Sequence, residues 1–176
     1  MKPHSTNEIS KIVKYCNDER IGIVPQGGNT GLVGGSVPTY SNEKNNNHGS
    51  QIILSTENLN QIHHFDAHNG ILICDAGCIL QDLQTYLETQ QPNPHMFPLD
   101  IGSKGTCRIG GNVSTNAGGQ YYYRHGSLHA TVLGLEVVTP SGMILDLMNT
   151  NRKDNTGYDL KHLFIGAEGT LGMTIV

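Results

Sequence analysis

Tryptophan is absent from this 176-residue sequence, and aromatic residues make up only 6% of it. An excess of basic charge is missing too: 11 Lys and Arg stand against 15 Asp and Glu, a net charge of −4. That balance excludes the electropositive footprint of a dedicated nucleic-acid binder. No run of about 18 apolar residues occurs, so no transmembrane helix is expected. Residues 1–20 are polar and contain no apolar stretch of the kind a secretory signal needs. The four cysteines, Cys16, Cys74, Cys78 and Cys107, form no C-x-x-C pair and no Cys/His array at zinc-finger spacing. Their usage points to reduced, structural thiols in a reducing compartment. The length suits one domain, burying roughly 70% of its unfolded surface.

What the sequence has in abundance is glycine, 22 residues of 176. With so few rings to pack around, these glycines imply backbone that turns sharply or closely approaches a ligand. Residues 5–19 read as an amphipathic helix. Ser5 and Glu8 have capping-box spacing, and Ile9, Ile12, Val13 and Cys16 form its apolar stripe. A short strand at Ile21–Val24 follows, after which Pro25 opens a glycine-dense loop to Gly35. Residues 40–50 are Asn-rich and read as a solvated insertion. Strands are expected at Gln51–Ser55, Ile62–Asp66 and Ile71–Asp75, and a helix at Leu80–Gln90 along Leu80, Leu83, Tyr86 and Leu87. Val132–Thr139 and Met143–Leu147, joined by Pro-Ser-Gly, read as a hairpin. A short helix near Tyr158–Phe164 and a strand from Leu171 complete the pattern. Short helices among many short strands predict an α+β fold with mixed sheets, one domain over 1–176 and no internal repeat.

Two loops carry the chemistry. The first, PQGGNTGLVGG over residues 25–35, follows a strand, and its glycines can turn several N–H groups toward one point, forming an anion nest. It fits neither G-x-x-x-x-G-K-[ST] nor G-x-G-x-x-G, and it contains no lysine for a terminal phosphate. The second, GGNVSTNAGG over residues 110–119, places hydroxyl and amide side chains between glycines. Such a pair of loops would clamp a phosphate or a dinucleotide diphosphate mainly with neutral donors.

PQGGNTGL at 25–32 resembles the pyrophosphate loop of the FAD-linked oxidases, the vanillyl-alcohol-oxidase and p-cresol-methylhydroxylase group. PLDIGSKGTCRIGGNVSTNAGG at 98–119 is similar to that group's second flavin-binding segment. LGLEVV at 133–138, RKDNTGYDL at 152–160 and FIGAEGTLG at 164–172 narrow the resemblance to its D-2-hydroxy-acid dehydrogenases, which are mitochondrial FAD enzymes. The resemblance covers essentially the whole chain. It implies two small α+β subdomains with FAD between them.

Carried over by position, Gly27, Gly28, Asn29, Thr30 and Gly31 line the pyrophosphate, and Gly111, Asn112, Thr115, Asn116, Gly118 and Gly119 its other side. Pro98, Leu99 and Gly126 fall near the flavin, although His125 stands where relatives have Tyr. Glu168, Gly169 and Thr170 lie where the family wraps back to the cofactor. Relatives that attach FAD covalently do so through a His after Gly-Gly. Here Asn29 holds that place and an amide cannot form the bond, so the expected FAD is non-covalent.

The implied activity is oxidation of D-2-hydroxyglutarate to 2-oxoglutarate, with D-lactate or glycolate as alternative 2-hydroxy-acid substrates. An electron-acceptor protein or a quinone pool would take the electrons. The family's substrate domain, with a divalent metal (zinc) and the substrate arginine, is expected to lie beyond Val176, so that 1–176 alone is a flavin module without turnover. Catalytic residues are not assigned. His63, His64 and His68 read as a solvated strand surface, because His63 and His64 face opposite ways. His125 and His129 read as surface or flavin-flanking groups, Lys104, Arg108 and Arg124 as solvated charge, and Tyr121–Tyr123 as loop anchors.

Overall fold

A computed structural model describes residues 1–39 and 50–176 of the chain. The Asn-rich insertion expected from residue 40 therefore lies, through residue 49, outside the described residues.

The first helix, α1 (Thr6–Asp18), buries Ile9, Val13 and Cys16 along the expected stripe. Ser5 caps it by accepting the Glu8 N–H at 3.3 Å. The Glu8 carboxylate returns to the His4 N–H at 2.8 Å rather than to that of Ser5, so the capping box closes one residue upstream. Strand β1 (Gly22–Gln26) pairs in parallel with β2 (Gln51–Ser55). Pro25 thus sits inside β1 instead of ending it, in a two-stranded sheet that asks little of its missing N–H.

An antiparallel pair follows, β3 (Ile62–Asp66) with β4 (Ile71–Cys74), irregular in register between Ile62 and His64. Helix α2 (Leu80–Glu88) buries Leu80, Leu83 and Leu87 and stops two residues short of the expected Gln90. The glycine-rich stretch after Pro98 holds two helices that its composition does not announce: α3 (Ile109–Ser114) and α4 (Tyr122–His125). The expected hairpin is present as β5 (Leu135–Val138) against β6 (Ile144–Leu147). The last strand, β7 (Met173–Thr174), pairs antiparallel with β5, giving the order β6-β5-β7. The helix expected near Tyr158 is a 3₁₀ turn at Leu160–Leu163.

The α+β class with mixed sheets is therefore the observed architecture, and its buried residues fall into two clusters. One gathers Leu80, Leu83, Leu99, Ile109, Val113 and Leu135 with their neighbours; the other gathers Ile9, Val13, Leu54, Val138, Met173 and Ile175. Strand β5 joins them, because alternate side chains leave a strand on opposite faces. Leu135 and Val137 enter the first cluster while Val138 enters the second. On that second face Glu136 accepts the Thr6 hydroxyl at 2.6 Å, which ties α1 to the strand.

Candidate functional site

The loop after β1 is pinned at its base, where the Gln26 amide donates to the Ser36 carbonyl at 2.8 Å and the Ser36 hydroxyl to Asn29 Oδ1 at 2.7 Å. Asn29 holds a left-handed φ of 52°, a conformation that Asn adopts more readily than most residues. Gly28 lies flat against the Thr106–Cys107 backbone, and a Cβ there would stand 2.1 Å from the Thr106 carbonyl oxygen. Close approach, rather than turning, is what glycine provides at this position.

Residues 107–109 are held against 78–80 by main-chain bonds: Leu80 N–H to Cys107 O at 3.3 Å and Ile109 N–H to Cys78 O at 2.9 Å. This starts α3 directly opposite the first loop. A third segment closes the site, where the Glu168 N–H donates to Ser114 O at 2.8 Å and Glu168 takes a left-handed φ of 52°.

Between the three segments lies a cavity of about 320 Å³. Among the residues expected from the sequence, Gly27, Gly28, Asn29, Thr30 and Gly31 line one wall, and Gly111, Asn112, Thr115 and Gly118 the other. Glu168 and Gly169 complete the lining. The remaining candidates stand elsewhere. Leu99 is buried in the first core, and Gly119 packs on the Asp100 carbonyl. Asn116 accepts the His129 N–H at 2.9 Å, Gly126 ends α4 at a φ of 76°, and the Thr170 hydroxyl bonds Ala167 O. Pro98 is not among the lining residues.

Three properties say what the cavity can hold. No described residue accepts a hydrogen bond from the backbone N–H groups of Gly27 through Gly31, leaving five donors for a ligand. A Cβ built on Gly31 or Gly111 meets no atom of the described residues within 4 Å beyond its chain neighbours and, for Gly111, its own helix backbone, so these positions border open space. Two buried polar atoms on lining residues, Thr56 Oγ1 and Arg108 Nε, have no partner among the described residues. Free N–H groups, open space over glycine and orphaned donors fit an anionic ligand brought close to main chain, as a diphosphate is. Thr56 and Arg108 were not assigned to this wall by the sequence: Thr56 only follows a strand, with no local signal, while Arg108 lies within the second flavin-binding segment but reads as solvated charge, where the structure half-buries it in the cavity wall.

Of the other singled-out residues, Cys107 also lines the cavity, and the rest fall outside it. Lys104 pairs with Asp100 at 2.9 Å, which holds the Asp100 carboxyl below the usual carboxylate range and raises Lys104. His63, expected on a solvated surface, bonds the buried Asp75 at 2.7 Å. The irregular register at the start of β3 accompanies this contact. All four cysteines are free thiols; the neighbouring Cys78 thiol, then burial, pushes Cys74 up, and the Cys74 thiol in turn holds Cys78 below the ordinary thiol value. His129 and His162 stack with ring centres 3.9 Å apart beside a second, polar cavity of about 340 Å³. Burial, then the neighbouring His129, pushes His162 below its usual value. Tyr122 covers Gly118, while Tyr123 is fully exposed.

The family model described as "FAD binding domain" matches residues 1–148. The mitochondrial D-2-hydroxyglutarate dehydrogenase of Arabidopsis thaliana is 55% identical over 97% of this chain, which spans 28% of that protein. The enzyme of the same name from Danio rerio is 54% identical over 98% of the chain, spanning 30% of its length. Among solved structures, an alkyldihydroxyacetonephosphate synthase superposes with a TM-score of 0.81 over 99% of the chain and 28% of its own, at 23% identity. That likeness concerns the fold.

Proposed function

The chain belongs to the family of FAD binding domains, and from that premise we propose that it holds the flavin of an FAD-dependent D-2-hydroxy-acid dehydrogenase oxidising D-2-hydroxyglutarate to 2-oxoglutarate. The observation that carries the reading is the cavity, lined on one side by Gly27–Gly31, whose five N–H groups have no acceptor among the described residues, and on the other by Gly111 of α3, which borders open space. In this reading the Gly27–Gly31 main chain binds the diphosphate, and Gly111, Asn112 and Thr115 bound it from the opposite side. Bound FAD supplies a two-electron acceptor for the hydrogen that leaves C2 of the hydroxy acid. The protein's own contribution is to orient the cofactor with fixed dipoles, which need no reorganisation once it is bound.

The attachment is non-covalent: Asn29 presents an amide, and its Oδ1 already accepts the Ser36 hydroxyl. The off-cavity candidates Pro98, Leu99, Asn116, Gly119, Gly126 and Thr170 act by supporting the wall residues beside them. The same reading places the enzyme in mitochondria, as the names of the relatives have it. It pairs the flavin domain of residues 1–176 with a zinc-bearing substrate domain and passes electrons to an acceptor protein or the quinone pool.

The test is a visible spectrum of the purified, FAD-reconstituted protein before and after anaerobic D-2-hydroxyglutarate. A flavin spectrum that survives desalting supports the cofactor site, and bleaching by this acid supports the activity. Bleaching by D-lactate or glycolate instead would move the substrate, and absence of any flavin uptake would overturn the reading. Acid precipitation should release all flavin into the supernatant; flavin retained in the pellet would refute non-covalent binding.

A further inference from the structure

Arg108 is the only basic side chain among the described residues lining the glycine-walled cavity. It is half-buried, and no described carboxylate lies within ion-pair distance of it. Its Nη1 donates to the Gly77 carbonyl, Nε is buried without a partner, and no described residue accepts from Nη2. Glu57, whose carboxylate feels the Arg108 charge, is already held by Lys2 at 2.5 Å. The free edge of the guanidinium is thus Nε with Nη2, a parallel pair of donors in the fork geometry that matches two oxygens of one phosphate. Against the same cavity stands the Thr56 hydroxyl, also buried and unpartnered.

An orphaned, water-shielded donor is unfavourable in the free protein, and a ligand oxygen at that edge removes the cost. We infer that Arg108 is the cationic phosphate contact of this cavity, selecting a diphosphate-bearing dinucleotide over a flavin lacking phosphate, with Thr56 as a neighbouring hydroxyl donor. The inference rests on the flavin-holding reading. It also revises the expectation of Arg108 as solvated charge, and adds one fixed positive charge to a wall expected to hold the ligand mainly with neutral donors.

Arg108 owes its place to backbone rather than to its own side chain. The pairing of Ile79 with Arg108 and the bonds of residues 107 and 109 to 80 and 78 fix its Cα. The side chain then runs past Gly27, where a Cβ would touch Arg108 Cβ at 3.4 Å. Substitution at 108 therefore removes the fork and leaves the main-chain clamp in place.

The experiment titrates FAD and riboflavin into wild type, Arg108→Gln and Arg108→Lys, followed by flavin fluorescence. Thermal melts of the flavin-free proteins run alongside. Arg108→Gln should weaken FAD by about tenfold to hundredfold, the range for a lost charge-assisted hydrogen bond, and change riboflavin by less than about twofold. Arg108→Lys, which keeps the charge and loses the fork, should fall between. Wild-type affinity for FAD should weaken with added salt more steeply than that of Arg108→Gln.

Equal losses for FAD and riboflavin, or an unchanged FAD affinity in Arg108→Gln, would overturn the inference while leaving the flavin site standing. A wild-type protein that binds neither would sink both. Should Arg108→Gln fail to fold, the Lys variant and the wild-type salt dependence decide in the same terms.

Discussion

Gly111 lies within α3, where alanine is the better helix former by roughly 0.5–1 kcal/mol. Its φ is not positive, it is exposed, and a Cβ added there meets no atom of the described residues outside its own helix within 4 Å. None of the described residues therefore requires glycine here. Gly111→Ala should stabilise the flavin-free protein by up to about 1 kcal/mol, a rise in Tm of about 2–4 °C for a domain of this size. The same methyl would project toward the cavity that Gly111 lines. Crowding a close-fitted contact costs about 1–3 kcal/mol, which lowers FAD affinity roughly fivefold to a hundredfold. Opposite signs on one substitution separate a ligand requirement from a folding requirement. Differential scanning calorimetry of the flavin-free protein and a fluorescence titration with FAD measure the two quantities. Unchanged FAD affinity would refute the placement of the cofactor against α3, and a lowered Tm would refute the argument that the chain leaves this position open.

Gly28→Ala should behave differently, because its Cβ would meet the Thr106 carbonyl oxygen and Cys107 Cα, both main chain. A loss of about 1–3 kcal/mol in the unfolding free energy is expected, and a denaturant midpoint equal to wild type would count against that packing. Asp75→Ala strips the buried acceptor of the Gln61 N–H at 2.9 Å and of the His63 ring. Urea unfolding should register about 1–3 kcal/mol for the orphaned donors, and a neutral result would mean water replaces the carboxylate. His162 titrates below its unfolded value, so the unfolded chain binds more protons in the window between the two. Stability should then fall as pH drops from about 6.5 toward the lower folded value. His162→Gln should flatten that part of a Tm-against-pH profile, and an unchanged slope would assign it to another group. Leu54→Ala, at a fully buried position, should cost about 2–5 kcal/mol by chemical denaturation; a smaller loss would mean that the α1–β2 core collapses into the space.

Local pattern made several elements legible. The stripe of Ile9, Val13 and Cys16 with Ser5 ahead of it specifies α1, and two apolar runs around Pro-Ser-Gly specify the β5–β6 hairpin. The glycine loops marked two walls of one cavity, and the longer motifs brought the family with them. Helix α3 was not legible, since glycines at 110 and 111 argue against a helix by intrinsic propensity. Packing decides otherwise: a Cβ at Gly110 would stand 2.5 Å from Ala76 Cβ, so glycine is what lets the helix dock there. His63 is exposed, as expected, and what the sequence did not show is its bond to the buried Asp75, a residue that follows β4.

Sequence alone determined what depends on neighbours along the chain: helix caps, turns, the spacing of glycines, and an amide rather than an imidazole at Asn29. Which of the candidate residues share one cavity was decided only by tertiary structure. Leu99 and Gly119 belong to motifs that look like binding segments, yet one is core and the other packs on main chain. Thr56 belongs to no such motif, and Arg108 reads as solvated charge within one, yet both line the cavity, each with a buried polar atom that has no partner among the described residues. The physical reason is that a local pattern constrains backbone conformation over a few residues. The apposition of 25–35, 106–118 and 168–169 arises from burying two apolar clusters joined through β5, a condition that only the whole folded chain satisfies.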